Sequence, residues 1–431
     1  MSPETVGFIG IGILIVLLFF RVWVGMAMAI VGFLGFAYIA SFKHAFLIMG
    51  SVPYAAISNE TVACVPLFIL MGVVVSNTGV AKDLYHAAYK WLGQLRGGLA
   101  MATVVACGGF AAVCGSSPAT AATMGKVALP EMQKYKYDLK LTTGSIAAGG
   151  TIGILIPPSL GFILYGILTE ESIGKLFMAG IIPGILEILF YIGLIIILCR
   201  LRPALGPASP KVRFMEKVTS LRYTWAMLCL FLLVIGGIYG GWFTPTEAGA
   251  VGAFGAILIS TIARKITREN FIASILEAAQ TTAMIVIIIA GAFIFMKFMA
   301  VSRVPDMLAT VISELPFSPL IILILIIFLY IILGMFLDAP SAMVLTLPIL
   351  FPVILSLGFD PIWYGVIMVR VIEIGLITPP FGMNVFVLAG VSDVSLGVIF
   401  RGIVPFVIAD ILHITLLVAF PAISLFLPSV M

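Results

Sequence analysis

IGILIPPSLG (Ile152–Gly161) and IGLITPPFGM (Ile374–Met383) each lie in the middle of a long apolar segment, and each carries two adjacent prolines. A proline removes an amide donor and its ring clashes with the preceding turn, so a helix reaching either pair must break there. The surroundings make the break informative. The residues AVILMFWYC supply 62% of the 431-residue chain, and only 10% of residues are charged. With a mean hydropathy of +1.24 the solvent for most of this surface is lipid. Unwound backbone in lipid is tolerated only where protein buries it or where it lines a cavity. Broken helices at matching places in two halves of a chain therefore point to a binding site.

The two stretches are parts of a longer self-similarity. An offset of 222 residues brings Pro118 onto Pro340, Pro130 onto Pro352, Pro157 and Pro158 onto Pro379 and Pro380, and Pro183 onto Pro405, without a gap. Gly153 meets Gly375, Asp138 meets Asp360 and Gly180 meets Gly402 in the same register. Upstream of each break sits a second interruption, GSSPAT (Gly115–Thr120) and LDAPSA (Leu337–Ala342), between apolar arms of roughly 15 residues. Arms that short suit re-entrant hairpins better than two full crossings. Apolar runs of this length, without alternation, exclude a β-barrel. The predicted fold is an all-α polytopic membrane protein with inverted structural repeats, two re-entrant hairpins and two discontinuous helices.

Charge orients the halves. Lys and Arg concentrate at Lys82–Arg96, Lys134–Lys140, Arg200–Arg222 and Arg264–Arg268, which the positive-inside rule places in the cytoplasm. The first broken helix then runs outward to the acidic TEES turn at Thr169–Ser172. Where KYKYDLK (Lys134–Lys140) stands in the first half, the second reads LSLGFDP (Leu355–Pro361) with no basic residue, as a periplasmic loop should. The halves come out opposed and the N-terminus periplasmic. The first span, Thr5–Phe20, lacks the basic flank and cleavage site of a signal peptide and is expected to stay as a membrane helix.

The predicted division is residues 1–61 as N-terminal scaffold helices and 62–200 as the first repeat, with arm helix 81–97, hairpin 98–132 and broken helix 140–168. Residues 201–222 form a cytoplasmic linker read as a tether, and 223–263 a scaffold helix pair starting near Tyr223. Residues 264–427 are the second repeat, with arm helix 302–315, hairpin 319–354 and broken helix 362–390. The net charge of +4 is what basic cytoplasmic loops produce and gives no reason to expect nucleic acid as a partner. Membrane lipid is the expected surrounding. The five cysteines all lie in apolar segments and read as packing residues.

A broken helix exposes amide donors at one half-end and carbonyls at the other, ready for anions and small cations respectively. Ser116, Ser117 and Thr120 at the first hairpin tip, with Thr151, Gly153 and Ser159 at the first break, supply hard oxygen ligands or room for them. Asp338, Ala339 and Ser341 with Gly375, Thr378 and Asn384 do the same for a second site. Sodium is the only metal this donor set suggests. The competing reading is that these small residues merely let helices pack closely. Arg370 and Glu373, spaced i, i+3, are costly inside a membrane and are expected to neutralise one another or to meet substrate. Their register partners Ala148 and Thr151 are uncharged, which suits an anionic substrate nearer the second half. Glu187, Glu277 and Asp410 are expected to snorkel from helix ends, and His44, His86 and His413 to be interfacial or packing residues.

CGSSPATAATMGKVALPEM (Cys114–Met132), GILIPPS (Gly153–Ser159), GWFTPTEAGAVGAFGA (Gly241–Ala256) and LITPPFGMNVFV (Leu376–Val387) resemble, in that order, the large membrane subunit (DctM-like, M subunit) of tripartite ATP-independent periplasmic (TRAP) transporters. The resemblance covers essentially the whole chain. It implies an elevator-type secondary transporter of the bacterial inner membrane, not an enzyme, in which a transport domain slides past a scaffold. It implies a sodium gradient as the driving force, two Na+ as coupling ions and no other cofactor. The implied partners are a small four-helix membrane subunit, expected as a separate chain, and a periplasmic substrate-binding protein. Sodium positions carry over to the tips and breaks, Gly115 included. A small organic anion, carboxylate or sulfonate, is placed between the tips by Ser117, Pro118, Pro158, Ala339, Pro340, Arg370, Pro380 and Asn384. The other readings are a sodium symporter of similar design working alone, a channel, and a membrane hydrolase. No Ser/His or paired-Asp arrangement supports the last.

Overall fold

A computed structural model describes residues 1–222 and 224–431; Tyr223, where the sequence starts the scaffold pair, lies outside them. The described residues fold almost entirely as helices. Three helices open it, α1 (Pro3–Phe19), α2 (Val24–Ile39) and α3 (Phe42–Ile57). Then come α4 (Cys64–Asn77) and the amphipathic α5 (Val80–Leu92). The first hairpin is α6 (Gly98–Cys114) and α7 (Ser117–Lys134), followed by α8 (Leu139–Leu155) and α9 (Leu160–Thr169) on either side of Pro157-Pro158, and by α10 (Ile173–Leu201). After α11 (Phe214–Leu221), α12 (Trp225–Tyr239) and α13 (Pro245–Ile262) comes the long α14 (Arg268–Ser302). The remainder is α15 (Val304–Glu314), the hairpin α16 (Pro319–Phe336) and α17 (Ala339–Ser356), α18 (Pro361–Gly375) and α19 (Met383–Val391) flanking Pro379-Pro380, α20 (Leu396–Ala419) and α21 (Ala422–Ser429). Eight of the helical stretches are long and apolar enough to cross a membrane by length and composition. This is a multi-pass membrane protein.

Local chemistry sets the ends. Asp138 caps α8 by accepting from the Lys140 amide at 2.8 Å, and Asp360 caps α18 by accepting from the Trp363 amide at 2.9 Å. Ser159 restarts the chain as α9 by accepting from the Phe162 amide, and Asp338 caps α17 through the Ser341 amide at 3.3 Å. Both Pro-Pro bonds are cis. The hairpin arms are 17 or 18 residues long, somewhat more than their apolar sequence suggested.

Helices α8 and α18 form the centre. Every residue from Leu141 to Leu155 and from Ile362 to Gly375 is buried. By contrast α16 turns Leu320, Ile324, Leu325 and Phe328 outward, as a lipid-facing wall does. Lipid gives apolar surface little reason to associate, so close backbone approach at small residues supplies the packing. Gly144 of α8 meets the backbone of Gly402 in α20, Gly25 of α2 meets Gly291 in α14, and Gly334 of α16 meets Gly375 in α18. The hairpins exchange partners: α7 lies on α19, and α17 lies on α9. Likewise α8 packs on α20 and α18 on α10.

Residues 201–222 are not a loose tether, which corrects the sequence reading. The Gly97 amide donates to the Gly206 carbonyl and the Asp138 amide to the Leu205 carbonyl, each within 3.0 Å. Helix α11 is held to α5 by an ion pair of Lys90 with Glu216 at 2.9 Å and by the Trp91 indole donating to the Lys217 carbonyl at 3.1 Å. An exposed pair contributes ~0–1 kcal/mol, so the indole contact should dominate. Trp91→Ala is expected to raise trypsin cleavage at Arg213 and Lys217 several-fold in membrane vesicles, and Lys90→Ala to change it little. Equal cleavage in both variants would refute that ranking.

Candidate functional site

The first hairpin tip is pressed onto the first break. A Cβ on Gly153 would lie 2.9 Å from the Ser116 carbonyl oxygen, and one on Gly115 would lie 2.9 Å from that of Pro158. Only glycine permits either approach, and Gly115 also sits at φ +61°. Ser117, at the start of α7, is fully buried. Its hydroxyl lies 2.9 Å from the Gly150 carbonyl and 2.5 Å from Glu373 Oε2, as donor, and receives the Asn384 side-chain amide at 3.0 Å. Asn384 thus joins the first tip, although the sequence assigned it to the second site. Thr120 turns back to the Ser116 carbonyl at 2.7 Å.

Thr151 faces away from the tip. Its hydroxyl donates to the Ala148 carbonyl at 2.6 Å and to Glu187 Oε1 at 2.9 Å, and lies 3.1 Å from the Tyr191 hydroxyl. Tyr191 donates to Asp410 Oδ1 at 2.6 Å. Arg370 completes this set. Its Nη1 lies 3.3 Å from Glu187, Nη2 bonds Asp410, and Nε donates to His413 Nδ1 at 3.1 Å. All of these side chains are at 0% exposure.

Several sequence readings are corrected here. Arg370 and Glu373 do not neutralise each other: the guanidinium turns to α10 and α20, while Glu373 turns to the first hairpin tip. Two carboxylates on neighbouring helices outcompete one on its own helix. Glu187 and Asp410 do not snorkel but are interior, because Arg370 gives them a partner. His413 is a buried acceptor for a charged donor, not a packing residue. Glu277 is exposed and accepts from Asn77 at 3.2 Å, and His44 and His86 are exposed. Cys64, Cys107 and Cys199 are buried, whereas Cys229 is exposed.

Tyr191 and His413 are exact partners at the 222-residue offset, as are Thr151 and Glu373, and Asp410 lies one residue past the position matching Glu187. That register was the signal that could have found the set.

Around the second break the first arm of the second hairpin approaches closely. The Gly382 amide donates to the Met335 carbonyl at 3.3 Å, and a Cβ on Gly375 would lie 2.6 Å from Gly334 Cα. The Asn384 amide donates to the Leu376 carbonyl at 3.0 Å, and the Thr378 hydroxyl to that of Ile374 at 2.6 Å. Ala339 and Ser341 are buried, with Asp338 and Pro340 half-buried beside them. The two breaks differ in exposure. Pro157, Pro158 and Ser159 are buried, while Pro379, Pro380 and Phe381 are open.

Solved transporters share the architecture. The YdaH transporter of Alcanivorax borkumensis aligns with a TM-score of 0.63 over 88% of this chain and 90% of its own, at 14% identity. MtrF of Neisseria gonorrhoeae, titled an antimetabolite efflux pump, aligns at 0.61 over 97% and 95%, at 13% identity. Sequence relatives are nearer. A C4-dicarboxylate TRAP transporter large permease protein, DctM, of Pseudomonas aeruginosa is 39% identical over 86% of this chain and 87% of its own length. The isethionate TRAP transporter permease protein DctMQ of Oleidesulfovibrio alaskensis is 36% identical, and the match covers 88% of this chain and 60% of that longer protein. The sialic acid large permease protein SiaM of Vibrio cholerae is 32% identical over 86% and 87%. The family described as "Tripartite ATP-independent periplasmic transporter, DctM component" matches residues 11–423. With that match across nearly the whole sequence and relatives at 32–39% identity, the chain belongs to that family of membrane transport proteins as a DctM component.

Proposed function

We propose that this chain imports a small organic anion, a carboxylate or sulfonate, across a bacterial inner membrane, driven by a sodium gradient and working by an elevator motion. Relatives named for C4-dicarboxylate, isethionate and sialic acid support the substrate class. A periplasmic binding protein delivers the anion, and a small membrane subunit completes the complex. The exchange of partners between the hairpins, with α7 on α19 and α17 on α9, supports the inverted repeat, and the Lys and Arg clusters support a periplasmic N-terminus.

The observation that carries the coupling is the convergence of the first hairpin tip and the second break on shared oxygen ligands, Ser117 and Asn384. Each half supplies a tip and a break, so two sodium sites follow. The first uses Gly115, Ser116, Ser117, Thr120, Gly153, Ser159 and Asn384. The second uses Asp338, Ala339, Ser341, Gly375 and Thr378. These donors are hydroxyls, carbonyls and one carboxylate, which fit a hard cation. The anion sits between the tips, near Pro118, Pro158, Pro340 and Pro380. Arg370, engaged with Glu187 and Asp410, acts by holding α18 in place beside it.

Liposomes holding this chain with its small subunit and binding protein test the reading. Anion uptake should fall to background when the inward sodium gradient is replaced by an equal choline gradient. Asp338→Ala should remove sodium dependence while the protein stays folded, since losing a helix cap costs only about 1 kcal/mol. Equal uptake with and without sodium would sink the coupling, and normal sodium-driven uptake by the variant would sink the role of Asp338.

A further inference from the structure

We propose that Glu373, Ser117, Asn384 and the Gly150 carbonyl together form a site for one dehydrated monovalent cation, sodium, that ties the first hairpin tip to the second half. This rests on the sodium reading above and adds to it a carboxylate ligand, Glu373, and a site built from both halves.

The count of donors and acceptors carries the inference. Ser117 has one hydroxyl proton and two acceptors in reach, Glu373 Oε2 and the Gly150 carbonyl, the latter also an acceptor within its own helix, so the hydroxyl has no proton left for any further oxygen. Glu373 Oε1 and Asn384 Oδ1 are fully buried and have no hydrogen-bond partner. Around one hydroxyl there is thus an excess of hard oxygens, which is the coordination a small cation seeks. Unsatisfied buried acceptors are otherwise costly, at ~1–3 kcal/mol each and more when charged.

Charge points the same way. Three buried carboxyls, on Glu187, Glu373 and Asp410, accompany one buried guanidinium. Arg370 is committed to Glu187 and Asp410, which leaves Glu373 without a counter-charge. A proton on Glu373 would cancel its charge and could donate to Ser117, yet it would leave Glu373 Oε1 or Asn384 Oδ1 as stranded as before. A cation answers both deficits at once. Gly150 keeps the place open: a Cβ there would lie 3.2 Å from the Ser117 carbonyl oxygen and 3.3 Å from the Asn384 side-chain nitrogen.

The site spans elements far apart in sequence. Ser117 opens α7, Gly150 lies on α8, Glu373 ends α18 and Asn384 begins α19. An ion there joins the tip of the first hairpin to both sides of the second break. Its departure frees that tip, so binding of this ion and closure of the first hairpin are one event.

Equilibrium binding of radioactive sodium to the purified complex of this chain with its small subunit, at constant ionic strength in choline chloride, tests the site without any transport. Glu373→Gln should bind one sodium ion fewer per chain than the unmodified complex. Ser117→Ala and Asn384→Ala should do the same, and Ser117→Ala serves if the Gln variant does not stay monodisperse. Unchanged sodium stoichiometry and affinity in folded Glu373→Gln overturns the proposal and leaves Glu373 as a protonated acid. If the unmodified complex bound no sodium at all, the sodium reading itself would fall, which is a distinct result.

Discussion

Arg370→Met is expected to destabilise the folded protein strongly, because it strands two carboxylates that were buried around one guanidinium. Glu187 and Asp410 are each at 0% exposure and reach Arg370 from α10 and α20. Removing one partner of a buried ion pair costs ~3–5 kcal/mol, whereas replacing a whole buried set by neutral groups of similar shape is often harmless. The single variant should therefore melt far below the unmodified protein in detergent, as followed by fluorescence-detected size exclusion after heating. The triple variant Arg370→Met, Glu187→Gln, Asp410→Asn should recover most of that loss. A single variant that melts like the unmodified protein would show that the three groups are not an interdependent set. Tyr191 and His413 make the expectation sharper. Their bonds to Asp410 and Arg370 hold the same helices, so neither can relieve the stranded acids without moving α10 or α20.

The second large effect is expected at the crossing of α8 and α20. A Cβ on Gly402 would lie 2.1 Å from the Lys140 carbonyl oxygen, and one on Gly144 would lie 2.3 Å from that of Gly402. These are backbone atoms, which cannot rotate out of the way as a side-chain tip can. Gly402→Val must push the two helices apart, at a cost of ~1–3 kcal/mol or more for overpacking, and it would stretch the contacts that Asp410 makes on the same helix. Gly397, five residues earlier on α20, has nothing within 4 Å of an added Cβ and supplies the control. Gly397→Ala should keep its melting temperature and its uptake while Gly402→Val loses both. Equal behaviour of the two would mean that close approach at Gly402 is not what holds α20 to α8.

Much of the frame was legible because prolines and caps act locally. Pro157-Pro158 and Pro379-Pro380 had to end helices wherever they stood, and Asp138 and Asp360 had to start them. The family motifs then gave the rest of the order. The partners of Arg370 were not legible in the same way. Glu373 is close to it on the same helix, and the i, i+3 rule describes isolated helices. In the folded chain Glu187 and Asp410 arrive from α10 and α20, elements whose side-chain directions depend on how Gly144 and Gly402 let those helices settle. Hydropathy treats an acid near a proline-containing span as a helix-end residue, because it contains no information about neighbours. Thr151 was misread for a related reason. It is one turn from the first break, but its hydroxyl is taken up by the Ala148 carbonyl of its own helix and by Glu187 and Tyr191 of α10. Linker residues 201–222 looked like a tether because their composition is polar, yet backbone groups of Leu205 and Gly206 serve as partners for the interior.

The unequal exposure of the two breaks reaches beyond the site itself. One sequence pattern is written twice, and in this conformation one copy is sealed in protein while the other stands open at Pro379, Pro380 and Phe381. The two proline pairs thus differ in what covers them and not in their own residues. On the elevator motion proposed above, the counterpart shape would exchange these environments, with the first break opened and the second sealed.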